Sequence, residues 1–356
     1  FELGTREVGP YRLMWKLSDK AGAVIETRRE EAVLVGPVPQ EELDPADFDT
    51  EFEKRLKLVT KIDCAAIVAD DGEFIDHAGM YNAPAVNRGK VVNQDGMAYR
   101  ETGPGRWDYF AYRLHLKERG EPYLAEIIVP DNSDRYIYSG IVEHYPIAFC
   151  NNYPDGSRGW YTATGTCYTG LRYPLTGKKR KLRYIFLPSS GGEAVVVMSG
   201  MTGYPAAACE INIYKIEGGL PALKVADSAR MFGSHNERMS VMTLTLGMCE
   251  QPLMHDPRIR LGLHQDVYYQ WYRTLERKIR LLRFQGYNMT VEGMYMYARG
   301  EYPSLKHCES ISSQDFDPAV LMIKMYNQNR IQCLLGFEYI ASPQGYIEGK
   351  GGISDR

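Results

Sequence analysis

The chain has 356 residues, 44% hydrophobic and 24% charged, with 42 Lys and Arg against 45 Asp and Glu for a net charge of -3. That length suits two or three domains, the composition excludes disorder and collagen-like structure, and the near balance of charge excludes the basic field of a nucleic-acid binder. No apolar run approaches 18 residues, and the most hydrophobic, Glu193-Ala-Val-Val-Val-Met198, is strand-length, so no membrane span is expected.

Residues 1–37 alternate with a period of two: Tyr11, Leu13, Trp15 and Leu17 share one side of a strand, and Ser18-Asp-Lys-Ala-Gly22 reads as a turn. Val24-Ile25 and Ala32-Val-Leu-Val35 supply the next strands, which predicts the end of a small β-sandwich module. A linker follows over 38–50, marked by Pro37-Val-Pro39 and the acidic Gln40-Glu-Glu-Leu-Asp-Pro45.

From 51 to 240 short apolar or alternating runs are separated by Gly, Pro, Asn and Asp, the punctuation of an all-β domain. Strands are expected at 65–68, 107–117, 123–129, 136–145, 162–168, 182–187, 193–199 and 207–215, and in the second of these Phe110, Tyr112, Leu114 and Leu116 share a face. About eight strands without a repeat of blade length predict a jelly-roll-like β-sandwich. The 26 tyrosines suit sheet surfaces and also faces that stack on sugars. The basic run Gly177-Lys-Lys-Arg-Lys-Leu-Arg183 reads as a solvated hairpin tip, although it would also attract sulfated or uronic-acid polysaccharides.

After a connector over 241–264 the period changes. Val267, Trp271, Leu275, Ile279 and Leu282 recur every three or four positions opposite Arg273, Glu276, Arg277 and Arg280, which predicts an amphipathic helix over 265–284. A buried strand follows at 286–292. Asp317-Pro318 opens a helix to about Asn329, with proline at its first helical position, and a further strand spans 331–338. Strand, crossover helix and strand make the first βαβ of a (β/α)8 barrel, which takes roughly 250 residues and so stays incomplete within 265–356. The sequence also begins at Phe1 without an initiator Met or signal segment, so the expectation is a piece of a longer protein.

In such folds ligands sit at the carboxyl ends of the strands. The first strand ends in Glu292-Gly-Met-Tyr-Met-Tyr297 and the second in Gly336-Phe-Glu-Tyr-Ile-Ala-Ser342, so Glu292, Tyr295, Tyr297, Glu338 and Tyr339 share one rim. Paired carboxylates hydrolyse glycosidic bonds, but adjacent strands commonly supply binding groups, which makes Glu292 and Glu338 candidate substrate contacts. The alternative is that each caps a loop or pairs with Arg299 or Arg283. Tyr302, in the overhanging loop 298–307, could stack on a sugar ring, and Asn288 is a substrate-contact candidate or a hydrogen-bonded layer residue. No catalytic residue is assigned.

Elsewhere, Asp131, Asn132 and Asp134 put three oxygen-bearing side chains in one turn, which could hold a structural Ca2+, though such residues favour turns anyway. No other cofactor is implied. Ser234-His-Asn-Glu-Arg238 is a dense polar cluster without a nucleophile elbow, read as a domain-interface network. The seven cysteines show no zinc spacing, and buried free thiols with one bridge at most, such as Cys150 with Cys167, are expected. The motifs of serine hydrolases, zincins, P-loop and Rossmann proteins are absent.

The stretch Tyr269–Tyr297 with Tyr302-Pro-Ser304 resembles large glycoside-hydrolase-like proteins of planctomycete-type and related bacteria. Glu121–Asn132 and Ala207–Tyr214 resemble the sandwich that precedes the barrel in that group. The resemblance implies an exported, extracytoplasmic protein with accessory sandwiches and a TIM-like barrel acting on polysaccharide or oligosaccharide. The second reading is a non-catalytic carbohydrate-binding or cell-surface protein, for which an exposed row of aromatics on the sandwich would be the signature.

Overall fold

The computed structural model describes residues 7–66, 74–77, 89–106, 108–118, 120–142, 165–169, 174–188, 193–224, 241–243, 267–296, 299–300, 309–310 and 318–337. They fall into two compact units: the described residues of Phe1–Ala46, Pro221–Leu246 and Leu253–Arg356 form one, and those of Asp47–Leu220 the other.

The first unit opens with a ribbon, β1 (Gly9–Ser18) antiparallel to β2 (Val24–Leu34). Its turn is fixed by Asp19, whose Oδ1 accepts the N–H groups of Ala21 and Ala23. One strand thus runs through 24–34 where the sequence suggested two. Among the described residues these strands pair only with each other, so a ribbon stands where a sandwich fragment was expected. The prolines and acidic residues that follow do not form a free linker either: Val38 is buried, and β3 (Glu42–Leu43) is a sheet strand. Local composition misled here because a single buried valine and a few backbone hydrogen bonds suffice to anchor a polar segment.

The second unit begins with α1 (Phe48–Lys54), which carries acidic Asp49 and Glu51 in its first turn and Lys54 in its last, the arrangement that the helix dipole favours. The first strand of the unit is β4 (Leu56–Asp63), just ahead of the one expected at 65–68, whose first residues form a turn instead, with Asp63 Oδ1 accepting the Ala65 N–H. Then come β5 (Phe74–His77), β6 (Lys90–Gln94), β7 (Met97–Glu101), β8 (Tyr109–Arg113), β9 (Tyr123–Pro130), β10 (Tyr136–Val142) and β11 (Gly165–Thr169). The unit closes with β12 (Lys179–Phe186), β13 (Ala194–Ser199), β14 (Ala207–Ala208) and β15 (Glu210–Ile216). The β6–β7 hairpin turns on Asp95-Gly96, both at positive φ, 53° and 71°, the conformation a two-residue hairpin loop requires.

All pairings here are antiparallel. One sheet has the order β11-β10-β13-β8-β5, a second β12-β9-β15-β4, and a small third β14-β7-β6. The first two are the layers of a β-sandwich. Phe74, Phe110, Tyr112, Ile137, Ile141, Val195 and Val197 from one meet Tyr123, Ala125, Ile127, Val129, Tyr184, Phe186, Ile211 and Ile213 from the other in a single core. Because side chains alternate along a strand, each inner residue leaves its neighbours on the outer face, and the stripe Phe110, Tyr112, Leu114 with Leu116 against it is the one expected from the sequence.

The first unit continues with β16 (Ala222–Leu223), parallel to β3, then β17 (Val241–Thr243), α2 (Val267–Phe284), β18 (Met289–Met296), β19 (Arg299–Gly300), β20 (Glu309–Ser310), α3 (Pro318–Gln328) and β21 (Gln332–Phe337). The central strand β18 is parallel to β17 on one side and to β21 on the other. The order is therefore β17-α2-β18-α3-β21 with neighbours in sequence adjacent in the sheet, two βαβ steps where one was expected, the first strand falling in the presumed connector. No closed barrel is present among the described residues. Tyr272, Leu275, Ile279 and Leu282 of α2 pack on Leu321, Met322, Met325 and Tyr326 of α3, with Val38 and Ile331 in the same cluster and Val33 and Val35 against it. The helix stripe read from Leu275, Ile279 and Leu282 is the buried one.

Candidate functional site

Of the residues expected at the strand-end rim, Asn288 is buried immediately before β18, where its carbonyl accepts the N–H of Gln332 at 2.9 Å. Glu292 and Tyr295 lie on β18 opposite Leu335 and Phe337 of β21. Tyr297, Tyr302, Glu338 and Tyr339 lie outside the described residues, as do Ser234–Arg238 and Cys150.

The Asp131 turn is built on protein donors. Asp131 Oδ2 accepts from the Thr176 N–H at 2.9 Å, the Thr176 hydroxyl at 2.6 Å and Arg180 Nε at 2.7 Å. Asn132 Oδ1 accepts from Arg135 and its Nδ2 donates to Asp95, while Asp134 is exposed. Among the described residues no group of three or more His, Cys, Asp or Glu could hold a metal ion. Cys64, Cys209 and Cys333 are free thiols, and burial pushes the first two up from the ordinary thiol range.

A site that the sequence reading passed over lies on the outer face of the β12-β9-β15-β4 sheet. The registers Arg183↔Glu126, Asn212↔Glu126 and Asn212↔Lys61 place Arg183, Glu126, Asn212 and Lys61 in one row across all four strands. At sheet spacing the row spans roughly 14 Å. The parallel rows beside it are Lys181, Ile128, Glu210 and Asp63 on one side and Ile185, Leu124, Tyr214 and Leu58 on the other. The basic run is thus not a hairpin tip beyond Lys178: Lys179, Lys181 and Arg183 alternate along β12 with inward Leu182 and Tyr184.

Two residues of the row are sunk among taller neighbours. Glu126 is 2% exposed, and its Oε2 accepts from Arg183 Nε at 2.6 Å and pairs with Lys181 Nζ at 3.2 Å. Arg183 also reaches Glu53 of α1. Burial pushes the Glu126 carboxyl up, but the hydrogen bonds from Arg183 and Lys181 outweigh it and hold the group below its ordinary value. The Tyr214 hydroxyl, half-buried and bonded to Glu126, is pushed up by burial and by that charge. Lys61 pairs with Glu210 at 2.7 Å, an interaction that lowers the carboxyl and raises the ammonium.

Asn212, 5% exposed, donates through Nδ2 to Glu210 Oε1 at 2.7 Å, and its Oδ1 accepts no hydrogen bond among the described residues. Carboxylate, guanidinium, amide, ammonium and phenol side by side offer both acceptors and donors. This matches a surface dense in hydroxyls, each of which gives and receives a hydrogen bond. The signal in the sequence was the alternation of Glu210, Asn212 and Tyr214 with the buried Ile211 and Ile213.

The other tyrosines of the sandwich do not form an exposed row among the described residues: Tyr99, Tyr109, Tyr112, Tyr123 and Tyr184 are buried. Tyr136 and Tyr138 are half-buried, their ring centroids 5.4 Å apart, and pack so closely on Gly200 that a Cβ there would lie 2.2 Å from Tyr136.

No protein-family profile matches the chain, and no curated protein is similar to it in sequence. Solved structures similar to it include the CBM1 of BiXyn10A in its apo form, with 12% identity and a TM-score of 0.30 over 44% of this chain and 98% of that one. Another is a family 35 carbohydrate binding module from Clostridium thermocellum, with 15% identity and a TM-score of 0.28 over 44% of this chain and 98% of that one. A third is the GH115 4-O-methyl-alpha-glucuronidase BtGH115A, of which the likeness covers 18%, against 45% of this chain, with 8% identity and a TM-score of 0.27. These likenesses are loose, and the sandwich stands on its own sheets and core.

Proposed function

We propose that the sandwich binds a polysaccharide or oligosaccharide on the outer face of β12-β9-β15-β4, as an accessory domain of a glycoside-hydrolase-like protein whose TIM-like barrel begins in the other unit. The carrying observation is the row Arg183, Glu126, Asn212 and Lys61 with Tyr214 beside it, an accessible polar face with a recessed, partly unsatisfied centre. Consecutive parallel strands β17, β18 and β21 joined by α2 and α3 support the barrel. In that barrel Glu292, Tyr295, Tyr297, Tyr302, Glu338 and Tyr339 would be substrate contacts, and the acid and nucleophile would come from strands not among those described. A polysaccharide ligand fits an extracytoplasmic location. No helix among the described residues is long and apolar enough to cross a membrane.

Affinity electrophoresis of the full chain through gels cast with soluble polysaccharides tests the binding. At least one glycan should retard the chain, and Arg183→Met with Tyr214→Ala should restore free migration. A chain that no glycan retards contradicts the proposal.

A further inference from the structure

The β1–β2 ribbon has two edges, and they are not alike. β1 carries Gly9, Pro10 and Lys16, residues that blunt a sheet edge. β2 runs for 11 residues with no proline, glycine or lysine, and among the described residues it pairs with β1 alone. Every residue from Val24 to Glu30 is exposed, Val24 by 54% and Ile25 by 65%. From Ala32 the strand sinks, and Val33 packs against the cluster of α2 and α3. The free part of the edge is therefore Val24-Ile-Glu-Thr-Arg-Arg-Glu30. A two-stranded ribbon is marginal in water by itself, and a further strand on this edge would stabilise it.

Neighbouring residues of a strand turn their N–H and C=O groups to opposite edges. Two copies of one edge can thus pair about a two-fold axis only where a residue faces its own copy. Charge selects that residue. An axis at Glu26, Arg28, Arg29 or Glu30 sets a charge directly against itself, which destabilises a sheet. An axis at Val24 or Ile25 engages only the end of the free segment. An axis at Thr27 pairs the segment end to end, Val24 with Glu30 and Ile25 with Arg29, and sets no like charges face to face.

About that axis Glu26 of each copy faces Arg28 of the other. Within one chain Glu26 and Arg28 already share a face of the ribbon and pair at 2.9 Å. The two copies would close a ring of four alternating charges, each with an opposite charge along its own strand and another across the axis. The two Thr27 side chains meet at the axis on the other face, a favourable cross-strand pair.

We infer that β2 is a docking edge for a second copy of this chain, the two joining antiparallel about Thr27 into a four-stranded sheet. So short an edge buries less than a standard interface, and the dissociation constant is expected on the order of 100 μM.

Sedimentation velocity of the full chain at rising concentration should show a monomer–dimer equilibrium. Glu26→Arg or Arg28→Glu should weaken it about tenfold or more, since each sets two like pairs across the axis. The two substitutions together should restore it, because the ring then alternates again. Crosslinking reads the register: facing residues have Cα atoms about 4.5–5.5 Å apart, within disulfide range. Thr27→Cys should therefore give a disulfide-linked dimer under oxidised glutathione, and neither the unsubstituted chain nor Arg29→Cys should. A chain that stays monomeric at every concentration overturns the inference, because the second copy is then not the occupant of this edge. Dimers indifferent to the charge exchange, or crosslinked as readily through Arg29→Cys, overturn the assignment to β2 about Thr27.

Discussion

Arg183 Nε donates to Glu126 Oε2 at 2.6 Å on the outside of a four-stranded sheet, yet the carboxylate is as buried as a core residue. Its neighbours bury it: Arg183, Lys181, Asn212 and Tyr214 stand around it on the two adjacent strands. Because the folded carboxyl titrates below its ordinary 4.5, its contribution to stability is complete above that value and is lost as the pH falls through the lower folded value. The thermal midpoint should therefore hold between pH 7 and about 5 and decline below about 4.5. Glu126→Gln should flatten part of that decline; an identical acid limb in the variant would remove Glu126 from the account.

In the other unit Asn329 joins distant segments. Its Oδ1 accepts the Val38 N–H at 2.7 Å while its Nδ2 donates to the Met325 carbonyl at 2.7 Å, all of it buried. Asn329→Ala strips a buried donor and a buried acceptor of their partners, and should cost about 1–3 kcal/mol. Hydrogen exchange at the Val38 amide is the readout: protection should drop in the variant.

Arg135 is 1% exposed, bonded to Glu101 at 2.7 Å and to the Pro205 carbonyl at 3.3 Å, with its guanidinium 5.0 Å over the Tyr99 ring. Removing it leaves Glu101 without its buried partner, so Arg135→Ala should lower the stability of the sandwich by roughly 3–5 kcal/mol in urea unfolding.

Gly286 ends α2 at φ 74°, where the Gly286 and Tyr287 N–H groups close on Arg283 and Leu282 carbonyls. A side chain at that angle is strained, and Gly286→Ala should destabilise by about 1 kcal/mol. Arg330 holds the equivalent place after α3 at φ 58°, so Arg330→Gly should move stability the other way, by a few tenths to about 1 kcal/mol. Paired denaturant midpoints decide both.

Where a period ran long, the sequence was readable. Leu275, Ile279 and Leu282 marked the buried side of α2, Pro318 its place as the first residue of α3, and Phe110 and Tyr112 the inner face of β8, with Leu114 continuing it just past the strand. Short elements escaped: β4, with an irregular burial pattern, and the β6–β7 hairpin, although Asp95-Gly96 was its turn signal. The candidate face was illegible for a different reason. Arg183, Glu126, Asn212 and Lys61 come from four strands separated by up to about 150 positions, and only sheet register sets them side by side. Alternation says that Asn212 and Tyr214 share a side, but not that Glu126 stands between Arg183 and Asn212.

The most direct test of the saccharide-binding face is lysine footprinting of the full chain, with and without a polysaccharide that retards it. Lys61 and Lys181, on the proposed face, should become protected from acetylation when ligand is present, while Lys16 on the β1–β2 ribbon and Lys54 of α1 keep their reactivity. Unchanged labelling of Lys61 and Lys181 under saturating ligand would place binding elsewhere and contradict the account.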